Sequence, residues 1–365
     1  MSDARAAARN GRLMPGNYIL PPAGCASLEQ IAKSCGGSTV YHGEQRPITR
    51  ALPSHAAHEV RNFLRAYANA DVGRRCVARL PGGRVFGSGN VLSADGKWLA
   101  REVSPDFGKP FLEHWLLTYK KIPPPRPLSG KTAVIATTLG SGYSHWLLEE
   151  LPRLLALPTH DDAEALIAHA TTPCQREAIA LSGFSGNLIN AKRRDHFSCD
   201  ELIVPGLGEL ASETFSQVNE FVMPLRRTAS SWGECLYISR AKAKRRRVAN
   251  EPELWSALES RGFVKVYLEE LTWAEQIAAF RSAKAIVAPH GAGLANLVFC
   301  QAGTKVVELF NRSYVNPVYW QLASSHALDY RLLVPAGPEP LSQLLSANRL
   351  DITADIAQVE ASLAA

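Results

Sequence analysis

At 365 residues the chain exceeds what one hydrophobic core usually fills, which favours two domains and excludes a small stapled module. With 46% hydrophobic, 20% charged and 8% aromatic residues, it has the composition of an ordinary globular protein and no bias toward disorder. The net charge of +6 is modest, and Arg240–Arg247 alone carries six positive charges, so the basicity is local and points to a site for an anion.

Residues 1–45, rich in Gly, Pro and Ala, read as an irregular lead-in. From Arg46 to Pro127 short apolar runs (Cys76–Leu80, Trp98–Val103) alternate with Gly and Pro, and Ala56–Asn69 has weak helical spacing. Ile122–Leu128, with four prolines, reads as a rigid connector. Thr132–Thr137 predicts a buried strand, Leu139–Tyr143 a tight glycine loop and His145–Leu157 an apolar helix, the repeating unit of an α/β fold. Ala163–Ser182 predicts a helix, Asn187–Asn190 and Glu201–Val204 short strands, and Thr214–Met223 a helix stopped by Pro224. A second series begins near Ser231. Cys235–Ser239, Val264–Tyr267, Ala285–Ala288 and Lys305–Phe310 predict strands, alternating with helices at Glu251–Arg261, Thr272–Ser282 and from Ala292. Four strands and three helices in alternation call for a parallel sheet with right-handed crossovers, a Rossmann-like half.

The seven cysteines are scattered and contain no Cys-x-x-Cys pair, so neither a disulfide framework nor a zinc knuckle is expected. The amino terminus lacks the apolar stretch of a secretory signal, and no run of about 18 uncharged apolar residues occurs. The expectation is a cytoplasmic protein, with peripheral attachment to a membrane left open.

The strongest local pattern is Ala285–Asn296: a buried strand ending at Pro289, then His290, a Gly291-Ala292-Gly293 turn, and a helix start. Unpaired amides and the helix dipole at such a terminus favour a phosphate. The glycine spacing is not that of a dinucleotide fingerprint, which weakens a dehydrogenase reading. A tight turn needing φ > 0 remains the plain alternative. Tyr237–Arg240 is a second strand ending in a cation, and Arg240, Lys244, Arg245 and Arg246 could hold a diphosphate without a metal. A solvated basic loop or a nucleic-acid patch is the alternative, although no aromatics interleave with the charges. Glu308 ends the next strand, where a carboxylate could accept hydrogen bonds from ribose hydroxyls.

In the first half, at about 100° per residue, His145, Glu149 and Pro152 share one helix face while Leu147, Leu151 and Leu154 point away. Glu150 is turned a quarter circle from Glu149. A His and a carboxylate one turn apart beside a glycine loop can serve as a general base, or form an ordinary surface pair. Zinc is the poorer reading, since no third ligand follows at metal spacing.

In order along the chain, Tyr143-x-His145-Trp-Leu-Leu-Glu149-Glu-Leu-Pro-Arg-Leu154, Tyr237-Ile-Ser-Arg240 with its basic tail, Pro289-His-Gly-Ala-Gly-Leu-x-Asn296, and Gly303-x-x-Val-Val-Glu308 resemble glycosyltransferase family 61. Asn316–Trp320 and Tyr330 extend the resemblance, while residues 1–125 match nothing familiar. The resemblance implies a GT-B fold, two Rossmann-like domains facing across a cleft, and inverting, metal-independent transfer of a hexose or pentose. It implies a nucleotide-sugar donor, no further cofactor, and an oligosaccharide or glycolipid acceptor in capsular or other cell-surface polysaccharide synthesis at the inner membrane. It puts the nucleotide around Arg240, His290, Gly291–Gly293, Asn296 and Glu308, with either Glu149 or His145 as base. The expected division is an acceptor domain over 1–228, a donor domain over 229–335, a hinge at Met223–Ser231, and a helical tail over 336–365 packing back on the first domain. The rivals are a non-catalytic nucleotide- or glycan-binding protein of the same fold, and a basic nucleic-acid-binding protein using Arg240–Arg247.

Overall fold

The computed structural model describes residues 18–106, 110–157, 163–190, 192–208, 210–227, 232–338, 341–343 and 345–364. The chain forms two compact units, Met1–Gly43 with Arg74–Gly208, and Glu44–Gly73 with Glu209–Ala365. Residues 1–17 of the expected lead-in and 228–231 of the expected hinge lie outside the described residues; Met223–Arg227 forms a 3₁₀ turn.

The first unit is a mixed α/β structure built on a ten-stranded sheet. One run of four strands is parallel, His196–Pro205, Arg126–Val134, Ala165–Ala168 and Asn187–Asn190, hydrogen-bonded in that order, and Gly24–Ala26 pairs in parallel with Trp98–Ala100 at the far edge. The rest of the sheet extends from His196–Pro205 by antiparallel pairing with Arg84–Phe86 and Arg75–Pro81. Three expectations change here. Arg126–Leu128, taken as part of a rigid connector, pairs with Phe197–Cys199 and begins a nine-residue strand. The stretch Ala163–Ser182 is divided: Ala165–Ala168 is a strand buried at every position, and the helix begins only at Pro173. Thr172 and Gln175 form a capping box there, and proline at the first helical position excludes α geometry from the residue before it.

The third change concerns the helix after the glycine loop. Tyr143–His145 is α-helical, Trp146–Glu150 is a π turn closed by the Leu151 amide on the Trp146 carbonyl, and Leu151–Leu155 is α-helical again. One extra residue in the turn rotates everything beyond it relative to a regular helix. Pro152, expected beside His145 and Glu149, is buried, as are Leu147, Leu151 and Leu154.

The second unit holds an all-parallel five-stranded sheet in the order Val264–Val266, Cys235–Ile238, Ala285–Pro289, Lys305–Leu309, Asp329–Leu333. Its central strands are buried at every position but the first, as strands covered on both faces are. The fifth strand, Asp329–Leu333, adds an edge that the alternation of four strands did not predict. Counted within the unit, the order is 2-1-3-4-5, so chain direction across the sheet switches between Cys235–Ile238 and Ala285–Pro289. Open α/β sheets bind ligands at that switch, beyond the strands' carboxyl ends.

The expected boundary at 228 and the expected seat of the tail also change. Residues 44–73 belong to this unit: the two guanidinium nitrogens of Arg312 each donate to a Glu59 oxygen at 2.7 Å, and Gln321 reaches the Tyr67 carbonyl. The tail packs on the same unit. Ile352, Ala354 and Val359 join Tyr237, Val287 and Val307 in its core, and Ala354 exchanges two hydrogen bonds with the Asn250 side chain. Among the described residues no helix is long and apolar enough to cross a membrane.

Candidate active site

In the first unit, the strand Arg126–Val134 runs into the glycine loop, and the π turn of the next helix puts two adjacent glutamates into different surroundings. Glu149 is partly exposed and pairs with His145 through Nδ1 and Oε1 at 2.6 Å. Its other oxygen, Oε2, is buried without a hydrogen-bond partner among the described residues. Glu150 is fully buried. Its Oε1 accepts from the Thr137 amide at 2.7 Å and lies 2.7 Å from His169 Nδ1, while Oε2 accepts from the His169 amide at 3.3 Å. A Cβ on Gly140 would fall 1.6 Å from Glu150 Oε1, so the close approach of loop and carboxylate requires glycine.

Arg153, one turn on and equally buried, donates to the carbonyls of Ile135, Ala136 and Pro205 at 2.8–2.9 Å. Burial pushes its pKa down to about 10, with the Glu150 and Glu149 charges opposing that shift, so it stays cationic at neutral pH. Glu150 and Arg153 therefore tie the carboxyl ends of two parallel strands and the glycine loop to the helix that presents Glu149 and His145. Neither Glu150, Arg153 nor His169 was singled out from the sequence. Opposite charges three residues apart inside an otherwise apolar run were the available signal.

In the second unit, the strand ends at the switch point carry Arg240 and His290. A cavity of about 90 Å³ opens there, lined by Ser239, Arg240, Glu269, Pro289, Gly291 and Gly293 among others. Gly291 has φ of −177°, so the turn needs no left-handed residue, contrary to the plain expectation. Glycine is required for closeness: a Cβ at Gly291 would lie 2.2 Å from Arg240 Nη1, and one at Gly293 2.4 Å from Leu268 Cδ1. Beyond the turn, Ala292–Phe299 is 3₁₀ throughout.

Arg240 is partly buried, donates through Nη2 to the Arg245 carbonyl at 3.1 Å, and has a buried Nε with no partner among the described residues. Burial, and secondarily the charge of Arg246, push its pKa down to about 10. Arg246 sits at φ of 54°, with its guanidinium 5.4 Å from the Tyr314 ring centre; its Nε is likewise buried and unpartnered, and burial lowers its pKa. Two like charges are thus held near each other, both partly desolvated.

His290 is 5% exposed, stacked on Phe310 at 4.9 Å and flanked by Tyr314 and Tyr319. Its Nδ1 lies 2.5 Å from Glu308 Oε1, and Tyr330 donates its hydroxyl to Glu308 Oε2. Burial and the neighbouring Glu308 carboxylate raise the Tyr330 pKa well above its usual value, which keeps that donor protonated. A carboxylate holding Nδ1–H directs Nε2 away from itself.

Two expectations change at this point. Glu308 is fully buried with both oxygens engaged, so it supports His290 and presents nothing to a ribose. Asn296 is fully buried and donates to Gln276 Oε1 at 3.0 Å, so its amide is engaged within the protein. The basic run also divides. Lys242 pairs with Glu270, Arg245 reaches Asn348, and Arg247 pairs with Asp351, while Lys244 is exposed. Arg240 and Arg246 alone of the run combine burial with an unpartnered nitrogen, a poor fit to a continuous nucleic-acid patch.

Residues 143–307 match the family model described as Glycosyltransferase 61. The match assigns this part of the chain to glycosyltransferase family 61. The family 61 region takes in the His145–Glu149 pair, Arg240, Arg246 and the His290 turn, and ends one residue short of Glu308. No curated protein shows a significant match to the chain. The match over this region makes sugar transfer the expected activity, with a donor and an acceptor as its substrates.

Proposed function

We propose that the protein transfers a hexose or pentose from a nucleotide-sugar donor to a glycan hydroxyl with inversion at the anomeric carbon and without an obligatory metal. The observation that carries the reading is the pair of partly buried guanidiniums, Arg240 and Arg246, beside the Gly291–Gly293 turn, each with a nitrogen that no described residue satisfies. Holding two desolvated like charges together is unfavourable unless an anion joins them, and a diphosphate matches both guanidinium forks. These groups and the first amides of the turn would meet negative charge as it develops on the departing nucleoside diphosphate, joined by His290 Nε2–H when the ring is protonated on both nitrogens.

The proton acceptor is Glu149, whose Oε2 has no hydrogen-bond partner among the described residues while His145 holds Oε1. The acceptor hydroxyl would approach the Glu149 carboxylate, lose its proton there and attack the anomeric carbon as the carbon–oxygen bond to the diphosphate breaks. His145 orients the carboxylate and shares the proton. The reading requires the groups of both units to reach one donor–acceptor pair, in the manner of a GT-B enzyme. A cytoplasmic location, attached to the inner membrane where capsular glycans are assembled, suits this chemistry.

The test separates binding from turnover. Arg240→Ala should weaken the binding of UDP, GDP or CDP in calorimetry, whichever the unmodified protein binds. Glu149→Gln should leave that affinity unchanged and cut transfer by on the order of a hundredfold. Undiminished transfer in Glu149→Gln would remove the base from this site, and undiminished binding in Arg240→Ala would remove the diphosphate from the switch point.

A further inference from the structure

With both oxygens of Glu308 engaged, the ribose of a nucleotide at the switch point needs another acceptor. The cavity there supplies one. Its lining holds a single cation, Arg240, and a single carboxylate, Glu269. The Ser239 hydroxyl, the only other polar side chain in that lining, is already taken: it donates to Glu251 at 2.6 Å and accepts from the Ala241 amide at 3.1 Å. Glu269 is exposed, and among the described residues neither of its oxygens has a hydrogen-bond or ion-pair partner. Its neighbour Glu270 pairs instead with Lys242.

Topology puts Glu269 where it is. The strand Val264–Val266 lies beside Cys235–Ile238, and the Ser239 amide donates to the Val266 carbonyl at 2.9 Å, so the two strands end side by side. Leu268–Glu270 then forms a single 3₁₀ turn. The buried Leu268 side chain packs against Gly293, and its carbonyl accepts from Gln276 Nε2 at 3.0 Å, which fixes the turn that carries Glu269 against the glycine turn. Against burial, which lowers the Arg240 pKa, the Glu269 charge acts to raise it, as a carboxylate near the guanidinium must. In α/β nucleotide sites a carboxylate just past the second strand, next to the phosphate turn, accepts from ribose hydroxyls.

A vicinal diol can donate both its protons to the two oxygens of one carboxylate. We propose that Glu269 reads the ribose of the donor nucleotide, accepting from its 2′- and 3′-hydroxyls, and so restricts the site to ribonucleotides. The inference rests on the diphosphate lying at Arg240.

Calorimetry on the full chain compares whichever of UDP, GDP or CDP binds with its 2′-deoxy counterpart and with inorganic pyrophosphate. The unmodified protein should prefer the ribonucleotide roughly tenfold. Glu269→Ala should abolish that preference without weakening pyrophosphate, since only the ribose contact is lost, and Glu270→Ala should retain it. Glu269 is exposed, so its replacement leaves the fold intact. The same preference in Glu269→Ala as in the unmodified protein, or none in either, would overturn the assignment. A parallel loss of pyrophosphate affinity would do so too, because Glu269 would then act only through Arg240. Arg240→Ala separates the two readings: if it weakens all three ligands while the preference ignores Glu269, the diphosphate site stands and the ribose contact falls. Affinities unmoved by Arg240→Ala would remove the diphosphate reading on which the inference rests.

Discussion

Replacing Gly291 by alanine tests what lies on the turn without altering the turn. At φ of −177° the backbone is extended and accepts any residue, so the methyl group brings no backbone strain. It would instead lie 2.2 Å from Arg240 Nη1, 2.8 Å from Cζ and 3.2 Å from Cδ. Those atoms belong to the end of a long side chain, which can swing aside while strand and turn stay in place. The loss is then the guanidinium's bond to the bound diphosphate. A hydrogen bond to a charged group contributes about 1.5–3 kcal/mol. At about 1.4 kcal/mol per tenfold, affinity should fall roughly 10- to 150-fold. Calorimetry with the preferred nucleoside diphosphate reads that change, and a thermal melt should show little loss of stability. The double variant Gly291→Ala/Arg240→Ala should bind no more weakly than Arg240→Ala alone, because both changes remove the same contact. Unchanged affinity in the single variant, or full additivity in the double, would refute the placement of this guanidinium on the diphosphate.

Gly140→Ala perturbs the other unit, where the obstructing atoms cannot move: Glu150 is fully buried and both its oxygens are bonded. Overpacking there should cost about 2–4 kcal/mol and lower the melting temperature by several degrees. Gly142→Ala, whose new Cβ meets nothing closer than the Leu139 carbonyl at 3.3 Å, serves as control, and equal melting of both variants would contradict the tight approach. His196 predicts a response to acid. Burial depresses its pKa to about 4, while its Nδ1–H donates to the Pro123 carbonyl at 2.7 Å and opposes that shift. The folded pKa lies below the unfolded value of about 6.5, so the unfolded chain takes up the proton first as pH falls. The stabilisation is complete above the unfolded value and lost on the way down to about 4, amounting to about 2.5 kcal/mol by pH 4.5. Denaturant titrations at pH 7.5 and 4.5 should show a smaller acid loss in His196→Gln than in the unmodified chain, and an identical loss would exclude His196 as the cause.

The second sheet was legible because its central strands are buried on both faces and Thr272 caps the helix Trp273–Ser282, so local pattern and tertiary position agree. Cys235–Ile238, Val264–Val266, Ala285–Pro289 and Lys305–Leu309 fall within the expected strands. Arg240 and His290 were legible for the same reason, as polar residues set just beyond apolar strands. Ala165–Ala168 was not, because its four apolar residues run into a helical segment, and a buried strand and a buried helix look alike over that length. Residues 44–73 could not be assigned to their unit at all. Their place rests on pairings such as Glu59 with Arg312, and nothing local to either residue specifies a partner so distant along the chain.

The role of Glu308 was misread for a related reason. A carboxylate ending a strand next to a nucleotide site has two uses: to face the ligand, or to orient the group that does. Which applies depends on what the neighbouring strand brings, and the neighbour here is the unpredicted Asp329–Leu333. Its Tyr330 covers the second Glu308 oxygen, leaving the carboxylate no direction but His290. The adjacent glutamates of the first unit divide in the same way. The π turn buries Glu150 among donors from Thr137 and His169 and leaves Glu149 with one oxygen unclaimed. In each unit, then, one carboxylate with both oxygens engaged fixes the surroundings of a less constrained group, and reactivity belongs with the group left unsatisfied. That argument selects Glu149 over Glu150 as proton acceptor, and His290 over Glu308 as the contact with the leaving group, from hydrogen bonding alone.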